Sequence, residues 1–410
     1  MASCGCLQPA LSKEETTMSL ERKFTLALTV GLLVVGLVVV GGAYAVGGPT
    51  TVAAGFNGPQ GVFVAADGSV WVADGGIPGG ATLPIVGGNP VALGNNARIV
   101  RVATDGTQSV QANLPTIAWP SPEDNTGAAR ITVLNGQVYA TNGIWNEAYD
   151  SARLSNMAAV VRVSGGAAAE IANTWDVENS QNPAGSEKDT HPYGLTAGPD
   201  GNLYVADAGG NDLLRVNPTT GQVSLVAVFA PFPNNSGVGP PVSDAVPTGV
   251  VANSDGTFYV SMLRGFPFTP GTTKVVKVAA NGAVSDYADG LTSLTDLRRG
   301  PDGNLYAIQF AVFGQQGPAP NSGALVRIKP GFASETVISN LSFPTSVAFN
   351  SAGDAYITIN GVGAPGSGSV VKYTGVAPAA PNEIPEPTTL LLLGAGLAGL
   401  AGYARRRRQR

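Results

Sequence analysis

Three segments of this 410-residue chain end alike: GSVWVAD on Asp74, GQVYATN on Asn142 and GNLYVAD on Asp207. Carboxylate and amide oxygens are the ligands that a hard cation such as Ca2+ takes, so if the three ends converge they are candidate Ca2+ ligands. If they stay apart, Asp or Asn at such a place caps a turn by bonding local backbone amides. His191 is the single histidine. A general-base role can be imagined for it, but no nucleophile motif accompanies it, and ahead of Pro192 it equally reads as an ordinary loop residue. No side chain is assigned a catalytic role. Trp119, Trp145 and Trp175 lie near Glu123, Asp124, Glu147, Asp150, Asp176 and Glu178. Aromatic faces beside acids suit sugar rings or an aromatic metabolite, although tryptophans also pin long loops to a core. With His191 and Tyr193 they mark the candidate ligand-binding loops. No Gly-Lys-Ser/Thr opens a helix after the glycine-rich GGIPGGATLPIVGG, so no phosphate loop is visible.

The elements that position these residues repeat along the chain. GVFVAADGSVWVAD, ITVLNGQVYATN, GLTAGPDGNLYVAD, GVVANSDGTFYVSM, LRRGPDGNLYAIQ and SVAFNSAGDAYITI each read as a strand, a Gly-centred turn and a second strand. That is a hairpin with a primed turn, present six times. A third aliphatic strand follows each (ARIVRV, AVVRV, DLLRV, KVVKV, ALVRI, SVVKY), and a short fourth closes most units. Four antiparallel strands repeated six times predict an all-β, six-bladed β-propeller, in which adjacent blades bury faces that none could bury alone. The sixth unit lacks a fourth strand, while TTVAAG, from Thr50 to Gly55, is a strand without a blade; it is expected to complete the last blade and close the ring. The long insertions follow second strands or precede first strands, which places them on one face, the expected binding face.

The ends of the chain read differently. Arg22 and Lys23 precede the apolar run 24–40, and Ala43-Tyr44-Ala45 suits a signal peptidase, so residues 1–45 are expected to be a helical signal peptide, with Met18 a possible start. Cys4 and Cys6, the two cysteines, fall inside it, so the mature protein is expected to hold no disulfide or thiolate metal site. The propeller is expected over 46–376, a Pro/Ala linker over 377–384 and a terminal segment over 385–410. In that segment Pro385-Glu386-Pro387 precedes a short apolar helix candidate and Arg405, Arg406, Arg407, Arg408 and Arg410, which stop transfer across a membrane. Between the terminal segments about 15 basic residues face about 24 acidic ones. Such a balance argues against nucleic acid as a partner.

The Pro-Glu-Pro triplet, apolar span and arginine cluster resemble the PEP-CTERM sorting signal of Gram-negative bacteria. The resemblance implies export, transient inner-membrane anchoring through the terminal segment, processing by an exosortase, and a final place in the periplasm, on the outer surface or outside the cell. The stretches HPYGLTAGPDGNLYVADAGGNDLLRV and RGFPFTPG resemble the ScyD/ScyE family, exported six-bladed relatives of NHL-repeat propellers named from a cyanobacterial gene cluster for the pigment scytonemin. The expectation is a binding or scaffold protein of the cell envelope whose partner is polysaccharide, an envelope protein or a small aromatic metabolite. The alternative is a metal-dependent hydrolase or isomerase similar to the SMP-30/gluconolactonase propellers. Those would have a Glu before the first Gly-Pro, where this chain has Asn57.

Overall fold

Each Gly-centred hairpin forms the two innermost strands of an antiparallel sheet, four-stranded in five blades and extended to six strands in blade I. From the inside outwards, blade I is Pro59–Val64, Val70–Asp74, Val91–Val102 and Gln108–Ala118; blade II is Ala128–Leu134, Gln137–Asn142, Ala159–Ser164 and Ala167–Asn173. Blade III is Pro192–Ala197, Leu203–Asp207, Asp212–Val216 and Val223–Val228; blade IV is Pro247–Ala252, Phe258–Met262, Thr273–Val278 and Val284–Leu291. Blade V is Leu294–Arg299, Leu305–Gln309, Gly323–Ile328 and Glu335–Leu341; blade VI is Ser346–Phe349, Ala355–Ile359, Gly368–Tyr373 and, outermost, Thr50–Phe56 from the start of the chain. The inner strands touch in a closed ring I to VI and back to I. The fold is the six-bladed propeller, closed by its N-terminal strand.

The computed structural model describes residues 46–77, 79–118, 125–331, 334–379 and 405–407. The signal segment with Met18, Cys4 and Cys6, the residues Trp119, Glu123 and Asp124, Pro385, Glu386, Pro387, Arg408 and both apolar runs lie outside the described residues. Arg405, Arg406 and Arg407 form an exposed helical turn. Among the described residues no helix is long and apolar enough to cross a membrane.

Alternation of side chains along each strand gives every blade two apolar faces, and six cores fill the six seams. On LYVAD of blade III, Leu203 and Val205 face blade II, whereas Tyr204 and Ala206 face blade IV. This double burial is why the second strands read as nearly unbroken apolar runs. The Asp-Gly turns earn their recurrence locally: Asp200 and Asp302 accept the backbone N–H two residues on, and also the hydroxyls of Tyr204 (3.0 Å) and Tyr306 (2.7 Å).

Two local expectations need correction. In five of the six turns only the glycine has positive φ, and its N–H bonds the carbonyl three residues back, as in Gly68 to Ala65. These are three-residue loops with a left-handed glycine. Asn135-Gly136 of blade II, with both residues at positive φ, is the primed turn. The insertion 75–96 and the segment from Pro115 also hold more structure than loops: Val91–Val102 and Gln108–Ala118 run on past the blade as a paired ribbon, joined by Ala81–Leu83. A seven-residue helix, Trp175–Gln181, occupies the insertion before blade III.

Candidate functional site

The inner strands begin with a repeated triplet. In blades I, III and IV it is Pro59-Gln60-Gly61, Pro192-Tyr193-Gly194 and Pro247-Thr248-Gly249. The glycine is required by close approach: a Cβ on Gly61 would stand 2.3 Å from the Ala129 carbonyl oxygen, and one on Gly249 would stand 2.3 Å from the Leu297 nitrogen. Blades II, V and VI hold Arg130, Asp296 and Ser346 there instead, and these fill the propeller axis.

Arg130 is wholly buried, and its guanidinium gathers the ring. Nη1 donates to the carbonyls of Gln60 and Ala129, Nη2 donates to those of Thr295 and Thr345, and Nε lies 3.5 Å from Asp296 Oδ1. Blades I, V and VI are thus tied to blade II through one planar fork, the geometry for which arginine is suited. The guanidinium also lies over the Tyr193 ring at 4.3 Å, which brings in blade III. Asp296 accepts from Ser346 Oγ (2.6 Å), the Val347 N–H (3.1 Å) and Arg298 Nε (3.3 Å). Burial alone would push its carboxyl up, but the Arg298 and Arg130 guanidinium groups and these donors hold it below the usual range.

Above this plug a cavity of about 210 Å³ opens on the face carrying the long insertions. One wall is aromatic. Phe268 stacks on Phe313 with centroids 4.4 Å apart, and Phe310 stands 6.2 Å from Phe313. Phe268 comes from the Gly-Phe-Pro-Phe loop, which is anchored by buried Arg264 donating to Ser243 Oγ (3.0 Å) and to the carbonyls of Thr272 (3.1 Å) and Pro233 (2.7 Å). The rest of the lining includes the polar side chains of Gln60, Thr126, His191, Tyr193, Thr295 and Thr345 and, among the described residues, no carboxylate. Tyr193 Oη donates to Gln60 Oε1 (2.9 Å), and Gln60 Nε2 donates to the Gly361 carbonyl (2.8 Å), which fixes the amide.

His191 packs edge-on to Tyr193, with centroids 5.4 Å apart. Burial, and secondarily the Arg130 charge, lower its pKa to about 4, so the imidazole is neutral near pH 7. A folded pKa below the unfolded value of about 6.5 means that this group's contribution is intact above pH ~6.5 and is lost as pH falls towards 4. As the chain has one histidine, its imidazole C–H proton resonance should titrate near pH 4; a midpoint near 6.5 would contradict this environment.

The other sequence candidates lie elsewhere. Trp145 is 1 % exposed and packs edge-on to Tyr149, in a small core beneath the loops with Leu83, Ile117 and Met157; half-buried Trp175 covers it. Asp74, Asn142 and Asp207 close the second strands of blades I to III, and none lines the cavity. Asp74 accepts from Arg98 Nε (3.1 Å) and Nη2 and from the Asn57 N–H (2.7 Å). Asp207 accepts from Thr190 Oγ1 and from the His191 (2.6 Å) and Gly210 (3.0 Å) N–H groups. Asn142 Nδ2 donates to the carbonyls of Pro115 (3.2 Å) and Asn156 (2.6 Å). A Ca2+ ion at these positions would have to displace Arg98 from Asp74, so in this arrangement the three do not fit a calcium centre. Among the described residues no three acidic, histidine or cysteine side chains are already gathered as metal ligands.

Sequence reasoning missed Arg130, Asp296 and the phenylalanine wall. The signal for the first pair was present in the inner-strand triplets, where Arg and Asp replace glycine in blades II and V, which face each other across a ring of six.

Fold and cavity together define a six-bladed propeller whose axis is plugged and whose loop-rimmed face carries a cavity. Residues 172–364 match the model of the SMP-30/Gluconolactonase/LRE-like region, and residues 383–408 match the PEP-CTERM protein-sorting motif. The motif marks the chain as exported and sorted to the cell envelope by an exosortase. Similar solved structures include the gluconolactonase XC5397 from Xanthomonas campestris, 13 % identical over 80 % of this chain and 89 % of that one, with a TM-score of 0.49. Virginiamycin B lyase from Staphylococcus aureus is 14 % identical over 80 % and 98 %, with a TM-score of 0.44. The calcium-binding protein regucalcin from Agrobacterium tumefaciens is 12 % identical over 82 % and 96 %, with a TM-score of 0.45. No curated protein matches the chain.

Proposed function

We propose that this chain is a non-catalytic binding protein of the cell envelope, which holds one small, uncharged, ring-bearing compound in the axial cavity. The observation that carries this reading is the pairing of the Phe268/Phe310/Phe313 wall with a neutral polar wall of His191, Tyr193 and Gln60. Aromatic faces supply area, and a few placed polar groups supply orientation. A space of about 210 Å³ suits a single ring system and not a polymer chain. Polysaccharide and envelope proteins would therefore meet the loop rim and not the cavity.

The chain's exits suit this role. Gly47 N–H donates to the Thr374 carbonyl and Ala377 N–H donates to the Gly353 carbonyl, on the face of the tight turns, so both ends leave opposite the cavity. A propeller tethered through its sorting tail presents the cavity away from the tether.

The second reading, a lactonase-like hydrolase, draws on the family-model match. Against it, Asn57 Oδ1 is tied to the Gly366 N–H (2.8 Å) and Asp74 to Arg98. Simple phenols, sugars and lactones added to the exported protein separate the readings. Phenols are expected to raise Tm, since ligand binding to the folded state stabilises it. Phe268→Ala with Phe313→Ala should weaken phenol binding by tenfold or more. Lactone turnover, lost in Asp74→Asn, would instead establish the hydrolase.

A further inference from the structure

Outside the cavity, four carboxylates meet where the loops of blades II and III cover blade III. Glu178 sits on the helix Trp175–Gln181 and Asp189 on the short strand Asp189–Thr190, while Asp207 and Asp212 face each other in register on the second and third strands of blade III. Glu178 is 3 % exposed, and Asp207 and Asp212 are each 1 % exposed. Asp207 has its donors, but Glu178 Oε1, Asp189 Oδ1 and Asp212 Oδ1 are buried with no hydrogen-bond partner. Gly210 keeps the space among them open: a Cβ there would stand 3.4 Å from both the Asp207 carboxyl carbon and Glu178 Oε2. The adjacent cation, Lys188, turns its Nζ to the carbonyl (2.6 Å) and side-chain oxygen (3.3 Å) of Asn179.

Buried carboxylates without a counter-charge cost several kcal/mol each. Arginine compensates Asp74 and Asp296 in this same fold, whereas among the described residues no ion pair reaches Glu178 or Asp212 and only the more distant Lys188 charge acts on Glu178. Protonation would relieve that cost, and so would a cation with an appetite for several oxygens; Ca2+ takes six to eight, from carboxylates, carbonyls and water.

We propose that Glu178, Asp189, Asp207 and Asp212 form a calcium site that ties the loop helix and the strand Asp189–Thr190 to the second and third strands of blade III. The oxygens are not yet gathered on one point, so occupancy draws Glu178, Asp189 and Asp212 inwards around the ion. The site shares only Asp207 with the triad singled out in the sequence, and none of its four residues lines the cavity.

Two tryptophans make the test direct, because Trp175 precedes Glu178 by one helical turn and Trp145 pairs with Thr190. Terbium(III) should bind the full chain and luminesce on tryptophan excitation, Ca2+ should quench that emission by displacement, and Ca2+ should raise Tm reversibly with chelator. Glu178→Gln with Asp212→Asn should weaken Ca2+ at least tenfold, while Asp74→Asn leaves it unchanged. Should the double variant not fold, Glu178→Gln alone and the unaltered chain decide the matter. Absence of both sensitised emission and a Ca2+-dependent Tm shift in the unaltered chain overturns the proposal and leaves the carboxyls sharing protons. Loss of the response in Asp74→Asn alone overturns it in favour of the strand-end triad.

Discussion

Arg130→Met is expected to lower the unfolding free energy by about 3–5 kcal/mol, the usual cost of breaking a buried ion pair by removing one partner. The reason is specific to the axis. Asp296, 1 % exposed, keeps Arg298 but loses the charge facing it across the ring, and the carbonyls of Gln60, Thr295 and Thr345 lose their shared donor. An unpaired buried carbonyl costs about 1–3 kcal/mol of desolvation, so carbonyls that water cannot reach account for a large share of that loss. Arg130→Lys should rescue little, because a point ammonium cannot serve several carbonyls in one plane. Arg130→Met with Asp296→Leu should recover part of the loss, and only part, since Ser346 and Val347 still lose their acceptor. Denaturant midpoints for the three variants measure this; a loss below about 1 kcal/mol for Arg130→Met would mean that the ring holds without its axial tie. The same variant should move the His191 midpoint upwards from about 4, because the Arg130 charge is one of the two causes that depress it.

The architecture was legible because repetition and alternation are properties of the chain. Six Gly-centred hairpins, five of them Asp-Gly or Asn-Gly, fix six inner strand pairs, and the missing fourth strand after Tyr373 points to its substitute at Thr50. The face of the cavity was legible too, since loop lengths sort the two ends of a blade. What failed to show was anything set by convergence across the ring. Arg130 looks like one more basic residue on a strand until blade II is seen to face blade V, and Phe268, Phe310 and Phe313 lie in two separate insertions that only the ring brings into stacking contact. The burial of Trp145 was hidden for a related reason: it sits in a polar-looking segment, and what covers it is Leu83 and Ile117, which belong to blade I. Asp74 and Asp207 occupy equivalent positions in sequence and have unlike partners, an arginine in one case and hydroxyl and amide donors in the other.

Closure places the largest demand on the first strand, and a chain lacking Thr50–Phe56 is expected to lose its monomeric, cooperatively folded state. That strand pairs with Gly368–Tyr373 from Thr50 opposite Lys372 to Phe56 opposite Gly368, and it puts Phe56 (0 % exposed) and Ala53 (6 %) into the seam between blades VI and I. Burying the Phe56 side chain alone is worth about 1.5–3 kcal/mol. Its absence would also bare a row of unpaired backbone donors and acceptors on the third strand of blade VI, which invites pairing with another chain. The truncated protein should therefore elute as dimers or larger species, with a much lower unfolding midpoint. A peptide spanning residues 46–57 added in trans should restore the monomer, because the strand's contribution is pairing and seam packing and not connectivity. If the shortened chain stays monomeric with an unchanged midpoint, the seam between blades VI and I is held by Val62, Val72 and Ala348 without the strand. Because the strand joins the chain's first described residues to its last blade, no blade can peel away from either end without first breaking this seam.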